Sequence, residues 1–429
     1  GEWMRNPARV LCTAALALSV LGGTVATHAM DYMDGSAVRG HGGDLASLYA
    51  FMNNDNGKPG PLAVMLSIKP FALAVNEVGR WTDYSIRMRP ARLAGTGEGM
   101  RSYLSDVELR LDCRYFDGNH EFGCDATSIA ADGSEASMGS AGGNIGQVLR
   151  GSGWRVVTAM RSDPLRSNFH AALNCLDDGE AEFRTLSAFE QRVSPQFRNS
   201  VEFNKMNVVA IVAEFDPARL PSAPGMPLLA LAGQSVDKFD DGTTAQVDRV
   251  GRVGTSTLLI QDDAARNGWN QLDPFDTASA TAFRDAMQLG LTSVDSHSRR
   301  GYWSYPHPLL ETLLSDHLLL NPAVASAAND VDHNHYFEIE WAQFTGQSLD
   351  GLAGGRRLTD NAVSRFFAVF ARQGQSHFAH LESLKHPLYR RTHDKFPYAA
   401  APYEKHDTLL SRAAATWSPT KDTIHGCTN

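Results

Sequence analysis

The chain has 429 residues, 43% of them hydrophobic and 20% charged, with a formal net charge of −9 at neutral pH. That balance is ordinary for a globular protein, and the length suits one large β-rich domain or two lobes. An acidic chain without a basic run is a poor partner for nucleic acid or anionic lipid, so no nucleic-acid function is expected.

Taken in chain order, residues 1–29 read as a signal peptide. Met4 is followed by Arg5 and Arg9, then by the apolar run VLCTAALALSVLGGTVA, and small residues at Thr27 and Ala29 set a cleavage point after Ala29. The run is short for a membrane span, and nothing after residue 30 is apolar for long enough to cross a bilayer. The expected address is periplasmic or extracellular, with no transmembrane segment after cleavage.

The next stretch, DYMDGSAVRGHGGDLASLYAF (31–51), sets Asp31, Asp34 and Asp44 among glycines. These are hard oxygen donors of the kind calcium takes, but their spacing is not that of an EF-hand loop. Turn formation ahead of a strand LASLYAF is the preferred reading, with a cation site as the alternative. Short alternating or β-branched runs bounded by Gly, Asp or Asn then read as strands at 61–68, 83–93, 106–116, 120–129, 154–160, 207–215, 227–233 and 256–261. SMGSAGGNIG (137–146) and RLPSAPGMP (219–227) read as loops.

Cys12 leaves with the signal, and Cys113, Cys124, Cys175 and Cys427 remain, an even count suited to an oxidising compartment. A hairpin turning at 117–120 places Cys113 opposite Cys124 and leaves Cys175 to pair with Cys427.

Beyond residue 275 the pattern changes. Segments 279–294, 306–322 and 358–374 read as helices, and the last carries Val363, Phe366, Phe367 and Phe370 on one face. YFEIEWAQF (336–344) reads as a lone alternating strand between helices. The expected fold is mainly β: a β-sandwich-like core of antiparallel strands over 30–275, with a helix-containing C-terminal part, 276–429, packed on it in the same domain.

Five separated segments together resemble a family of exported bacterial proteins described as "domain of unknown function 4331". They are the 31–51 stretch with Asp44 and LYAF (48–51), AMRSDPLRSN (159–168), DRVGRVGTSTLLIQDDAARNGWN (248–270), GGRRLTDNAVSR (354–365) and FPY (396–398). They keep the family's order and cover nearly the whole mature chain. The chain departs from the pattern where relatives often carry Asp and it has Ser47, Asn168, Asn361 and Ser364. It departs also at Tyr32, where a His is expected, and at Leu165-Arg166, where Phe-Phe is expected. The resemblance implies an exported, β-rich protein and no established activity.

The densest cluster of ligand-type residues is NDVDHNHYFEIEW (329–341). On a strand, His333 and His335 point to one face, and paired neutral imidazoles suit zinc, copper or iron. Asp330 and Glu338 are nearby oxygen donors. The run Asp330, Asp332, Asn334 imitates a calcium loop but lacks its glycine and closing Glu. His377, His380, His386, His393 and His406 are candidate further ligands, whereas His317 sits among leucines and reads as a core histidine. No GxSxG nucleophile motif or phosphate loop occurs. The leading expectation is a non-catalytic exported protein that binds an unknown ligand or an envelope component. A metal-dependent enzyme centred on His333 and His335, with calcium, zinc or copper as cofactor, and a structural envelope component stand as alternatives.

Overall fold

The computed structural model describes residues 35–38, 41–70, 72–116, 120–165, 207–296, 303–326, 333–360, 362–372 and 392–403. Two antiparallel sheets face each other. The first has the order β1 (Leu45–Asp55), β2 (Lys58–Ile68), β10 (Asn207–Phe215), β9 (Trp154–Ser162) and β8 (Leu149–Gly151). The second runs β12 (Thr244–Val250), β11 (Leu228–Lys238), β3 (Thr82–Ala94), β5 (Glu108–Phe116), β6 (Glu121–Ile129) and β7 (Glu135–Asn144). In it β4 (Arg101–Leu104) also pairs with β3, and β13 (Leu318–Leu320) with β11. The β-sandwich-like architecture expected from the sequence is the one observed.

The inner faces supply the core. Tyr115 packs between Tyr84, edge-to-face at 5.8 Å, and Phe122, tilted at 5.2 Å, and its hydroxyl meets that of Thr158 on the opposite sheet at 2.5 Å. Gly233 lets the sheets close, because a Cβ there would lie 2.6 Å from Leu66 Cδ1. All nine residues of β10 are buried, as its unbroken apolar composition requires of a central strand. The sandwich is stitched at both sides. The Leu45 amide donates to Asp248 at 2.8 Å between β1 and β12, and the Ser152 amide, in the turn after β8, donates to the Met138 carbonyl of β7 at 3.0 Å.

The cysteine register holds: Cys113 pairs with Cys124 across β5 and β6, and the two form a disulfide. Cys175 and Cys427 lie outside the described residues. No described helix is long and apolar enough to cross a membrane.

The helices are α1 (Asp263–Asn270), α2 (Thr277–Ala280), α3 (Arg284–Ser296), α4 (Leu310–Leu314), α5 (Glu338–Thr345) and α6 (Ala362–Arg372). Four expectations are corrected. Residues 256–261 are not a strand: Thr255–Leu259 forms a fully buried π-helical turn after Gly254, which takes positive φ. The helix expected over 306–322 is confined to α4, because the chain then straightens into β13 and its leucines pair with Leu229–Leu231. The loop expected at 137–146 is largely β7, held by its ladder to β6 despite a Gly- and Ser-rich sequence. The lone strand expected over 336–344 is helix α5, entered through Phe337 at φ 62°.

Helix α6 occurs where the apolar periodicity placed it, and Phe366 and Phe370 are buried. It docks chiefly on α3 rather than straight on a sheet. The Trp303 indole donates to the Val369 carbonyl at 3.2 Å, and the Phe337 and Phe370 rings meet edge-to-face at 5.2 Å. His307 completes this contact. Its Nδ1 accepts from the Leu309 amide at 3.1 Å, so Nε2 carries the proton toward the Phe370 carbonyl at 3.3 Å.

Burial pushes the His307 pKa down from 6.5 to about 4. The folded protein therefore binds fewer protons than the unfolded chain between those values. The stability this represents is complete above pH 6.5 and is lost as pH falls toward 4, and it amounts to about 3 kcal/mol. Urea titrations at pH 7 and pH 4.5 are expected to show a smaller acid loss for His307→Gln than for wild type; an equal loss refutes this.

Candidate metal centre

Helix α5 organises the site. Its first residue, Glu338, is buried and faces back over the turn that precedes it. His335 Nδ1 lies 2.8 Å from Glu338 Oε1, and His333 Nε2 lies 2.8 Å from Oε2. The two imidazole rings are 4.5 Å apart. Oε1 also accepts the Ala353 and Gly354 amides at 2.9 and 2.7 Å. Burial alone would raise the Glu338 carboxyl. The hydrogen bonds from His335, the Gly354 amide and His333 outweigh it and hold the pKa near 2, so the group is an anion at any physiological pH.

A second carboxylate fixes the loop. Asp360 accepts the Arg357 amide at 2.7 Å, the Arg357 guanidinium at 3.0 Å and the His335 amide at 3.4 Å. The Arg357 guanidinium also donates to the His333 carbonyl. Both histidines are thus held through their backbone by the 353–360 segment. That segment is itself pinned to both sheets, by an Arg356–Ala50 bridge and a Gly354–Leu320 bridge.

Among the described residues, His333, His335 and Glu338 are the one group of three His, Cys, Asp or Glu side chains whose donor atoms lie within 4.8 Å of one another. Two ligands of a tetrahedral ion, each about 2.05 Å from it, sit roughly 3.3 Å apart. The two 2.8 Å separations need to open by about half an ångström to admit a cation. His335 is 5% exposed, with Nδ1 facing Glu338 and Nε2 without a hydrogen-bond partner. The His333 side chain is 47% exposed and opens the cluster to solvent.

The sequence placed His333, His335 and Glu338 together but on the wrong element. On a strand, Glu338 would point away from both rings; as the first residue of a helix after a tight turn, it lies beneath them. Glu340, on the same helix, turns into the core and pairs with Arg252 at 3.0 Å. Asp330 lies outside the described residues, as do His377, His380, His386 and His406. His393 is described and exposed. It lines a cleft of about 50 Å³ with Phe51, Arg357 and Tyr398. The Ala353 and Gly354 amides and Asp360 had no signature as site residues, since two are backbone groups and Asp360 lies 25 residues along the chain from His335.

At the other candidate site, Asp44 is buried and Asp31 and Asp34 lie outside the described residues. The neighbouring glycine-rich segment serves packing. The Ser36 amide and hydroxyl donate to Asp263 at 2.9 and 2.5 Å, the Ala37 amide donates to Asn267 at 3.1 Å, and the Tyr84 hydroxyl donates to the Gly42 carbonyl at 2.6 Å. His317 is a core histidine, fully buried with Nε2 3.0 Å from the Ser102 hydroxyl; burial, then Arg252 and Arg249, push its pKa well down.

No protein-family model matches this chain, and no curated protein and no solved structure matches it either.

Proposed function

We propose that this is an exported metal-binding protein that holds a borderline divalent cation, zinc, iron or copper, on His333, His335 and Glu338. The observation carrying the reading is the convergence of two imidazoles on one buried, anionic carboxylate. Two neutral nitrogens and one charged oxygen are the donor set such ions take in preference to calcium. Export is supported by the N-terminal apolar run and the Cys113–Cys124 disulfide. Membership in the exported family described above is supported by its five motifs in order. Three of these, LYAF, GGRR and FPY, meet in space: Arg356 lies 4.0 Å over the Tyr49 ring, and the rings of Phe51 and Tyr398 are 5.2 Å apart.

The test is metal content and thermal shift of untagged protein with zinc, iron(II), copper and calcium. Wild type is expected to take up one equivalent of a borderline ion and to melt higher with it; His333→Ala/His335→Ala is expected to lose both effects. Binding at a hundredfold excess over Kd corresponds to about 2.7 kcal/mol of added stability. Substoichiometric metal with identical melts would sink the proposal.

A metal-dependent enzyme is the second reading, favoured by solvent access at His333. Three protein ligands leave a coordination position where water could be activated. Ester turnover by the zinc-loaded protein no faster than that of free zinc removes it.

A further inference from the structure

The cleft that His393 lines is built from segments far apart in the chain: the end of β1, Ser326 beyond β13, the 357–359 stretch and the tail at 392–398. Its volume of about 50 Å³ is room for roughly four water-sized groups. Tyr398, in its wall, takes φ 61°, a left-handed backbone that is uncommon for an aromatic residue and persists only where the surroundings hold it. They do so here. The Tyr398 hydroxyl donates to Glu214 and accepts from Asn53 Nδ2 at 3.2 Å, and the Tyr398 carbonyl accepts the His393 amide at 2.7 Å. The tail is thereby fixed against the end of β1.

The polar groups of the lining select the ligand. Ser326 is 2% exposed, its amide donates to the Met52 carbonyl at 3.0 Å, and its Oγ has no hydrogen-bond partner. The hydroxyls of Thr359 and Thr392, the His393 imidazole and the exposed Asp394 carboxylate make no hydrogen bond to any described residue. Each of these groups can accept a hydrogen bond, and one of them is an anion. Among the described residues that line the cleft, Arg357 alone carries a fixed positive charge. Its guanidinium is committed to Asp360 at 3.0 and 3.1 Å and to the His333 carbonyl. A carboxylate ligand therefore meets a carboxylate and no uncommitted cation. An ammonium group, with three donors and no acceptor, meets acceptors and a counter-charge, and the chain's net charge of −9 favours the approach of cations. Met52 and Leu358 are buried and add an apolar wall for a short alkyl stem.

We propose that this cleft binds a short hydroxylated primary amine, with the ammonium on Asp394 and the hydroxyl on Ser326. None of the three metal-candidate side chains lines it, so the test is run with chelator present and stands apart from the metal reading. Ethanolamine, glycerol and acetate are each titrated by ligand-detected NMR at constant ionic strength. Wild type is expected to bind ethanolamine saturably with a Kd of about 0.1–10 mM, the range open to a ligand of so few atoms. Glycerol should bind at least about ten-fold more weakly and acetate not at all, since the charged hydrogen bond is the stronger one. Asp394→Asn should weaken ethanolamine about ten-fold or more and Ser326→Ala about three- to ten-fold. Asp350→Asn, which removes an exposed carboxylate elsewhere, should leave binding unchanged. Melting temperatures should match wild type, because Asp394 is exposed and Ser326 Oγ is bonded to nothing. Absence of saturable ethanolamine binding, acetate binding as tight as ethanolamine, or wild-type affinity in Asp394→Asn overturns the proposal. The same amine occurs on lipid headgroups, and sedimentation with phosphatidylethanolamine vesicles without binding of the free amine overturns it as well.

Discussion

Arg252→Met is expected to destabilise the fold by about 3–5 kcal/mol, the loss that follows when one partner of a buried ion pair is removed. Arg252 is almost fully buried. Its guanidinium donates to Glu340 at 3.0 and 3.2 Å and to the Thr312 carbonyl at 2.9 Å, and its amide donates to Asp316 at 2.6 Å. Burial already raises the pKa of Glu340 and of Asp316, and Arg252 is among the groups that oppose the rise. Without it, Glu340 must ionise in an apolar surrounding or take up a proton. Arg252→Met/Glu340→Leu should recover part of the loss, because no charge of the pair is then stranded. Equilibrium denaturation of the single and double variants measures this; a single variant as stable as wild type refutes it.

Phe370→Ala should have an effect of the same size, about 3–5 kcal/mol, from lost burial and the cavity left behind. Phe370 is fully buried between Phe337 and Phe366, at ring distances of 5.2 and 4.6 Å, and its carbonyl accepts from His307. Leu289 on α3 is 62% exposed, and Leu289→Ala should change stability by no more than about 0.5 kcal/mol. Similar shifts in the two variants would mean that α6 is not docked through this face. The two large effects are linked, since Arg252 also lies 5.6 Å over the Phe337 ring. Helix α5, which presents the metal candidate, is thus anchored by Arg252 beneath Glu340 and by the aromatic cluster around Phe337.

The candidate metal centre sits where long-range segments are knotted together. Residues 353–360 bridge to β13 and β1, hold Glu338 through two amides and hold His333 and His335 through Arg357 and Asp360. An ion bound there would tie the α5 turn to this strap, so metal is expected to raise the stability of the whole sandwich rather than of a loop.

The sequence by itself determined the β character, most of the strands, the Cys113–Cys124 register and the position of α6. These follow from local chemistry: β-branched runs such as NVVAIVAEF, a turn of fixed length, and one apolar helix stripe. It also singled out His333, His335 and Glu338. It did not determine β7, whose glycines and serines carry no pattern and whose strand exists only through pairing with β6. Nor did it determine α5. Tyr336 through Glu340 are buried on every side, so neither a period of two nor one of 3.6 distinguishes an inner face. Tertiary structure decides there: Glu338 is drawn to the Ala353 and Gly354 amides, the chain turns at Phe337 to reach them, and that turn brings the carboxylate under both imidazoles. A donor set assembled from a helix start and the backbone of a segment fifteen residues away has no local signature, because its geometry is a property of packing and not of spacing.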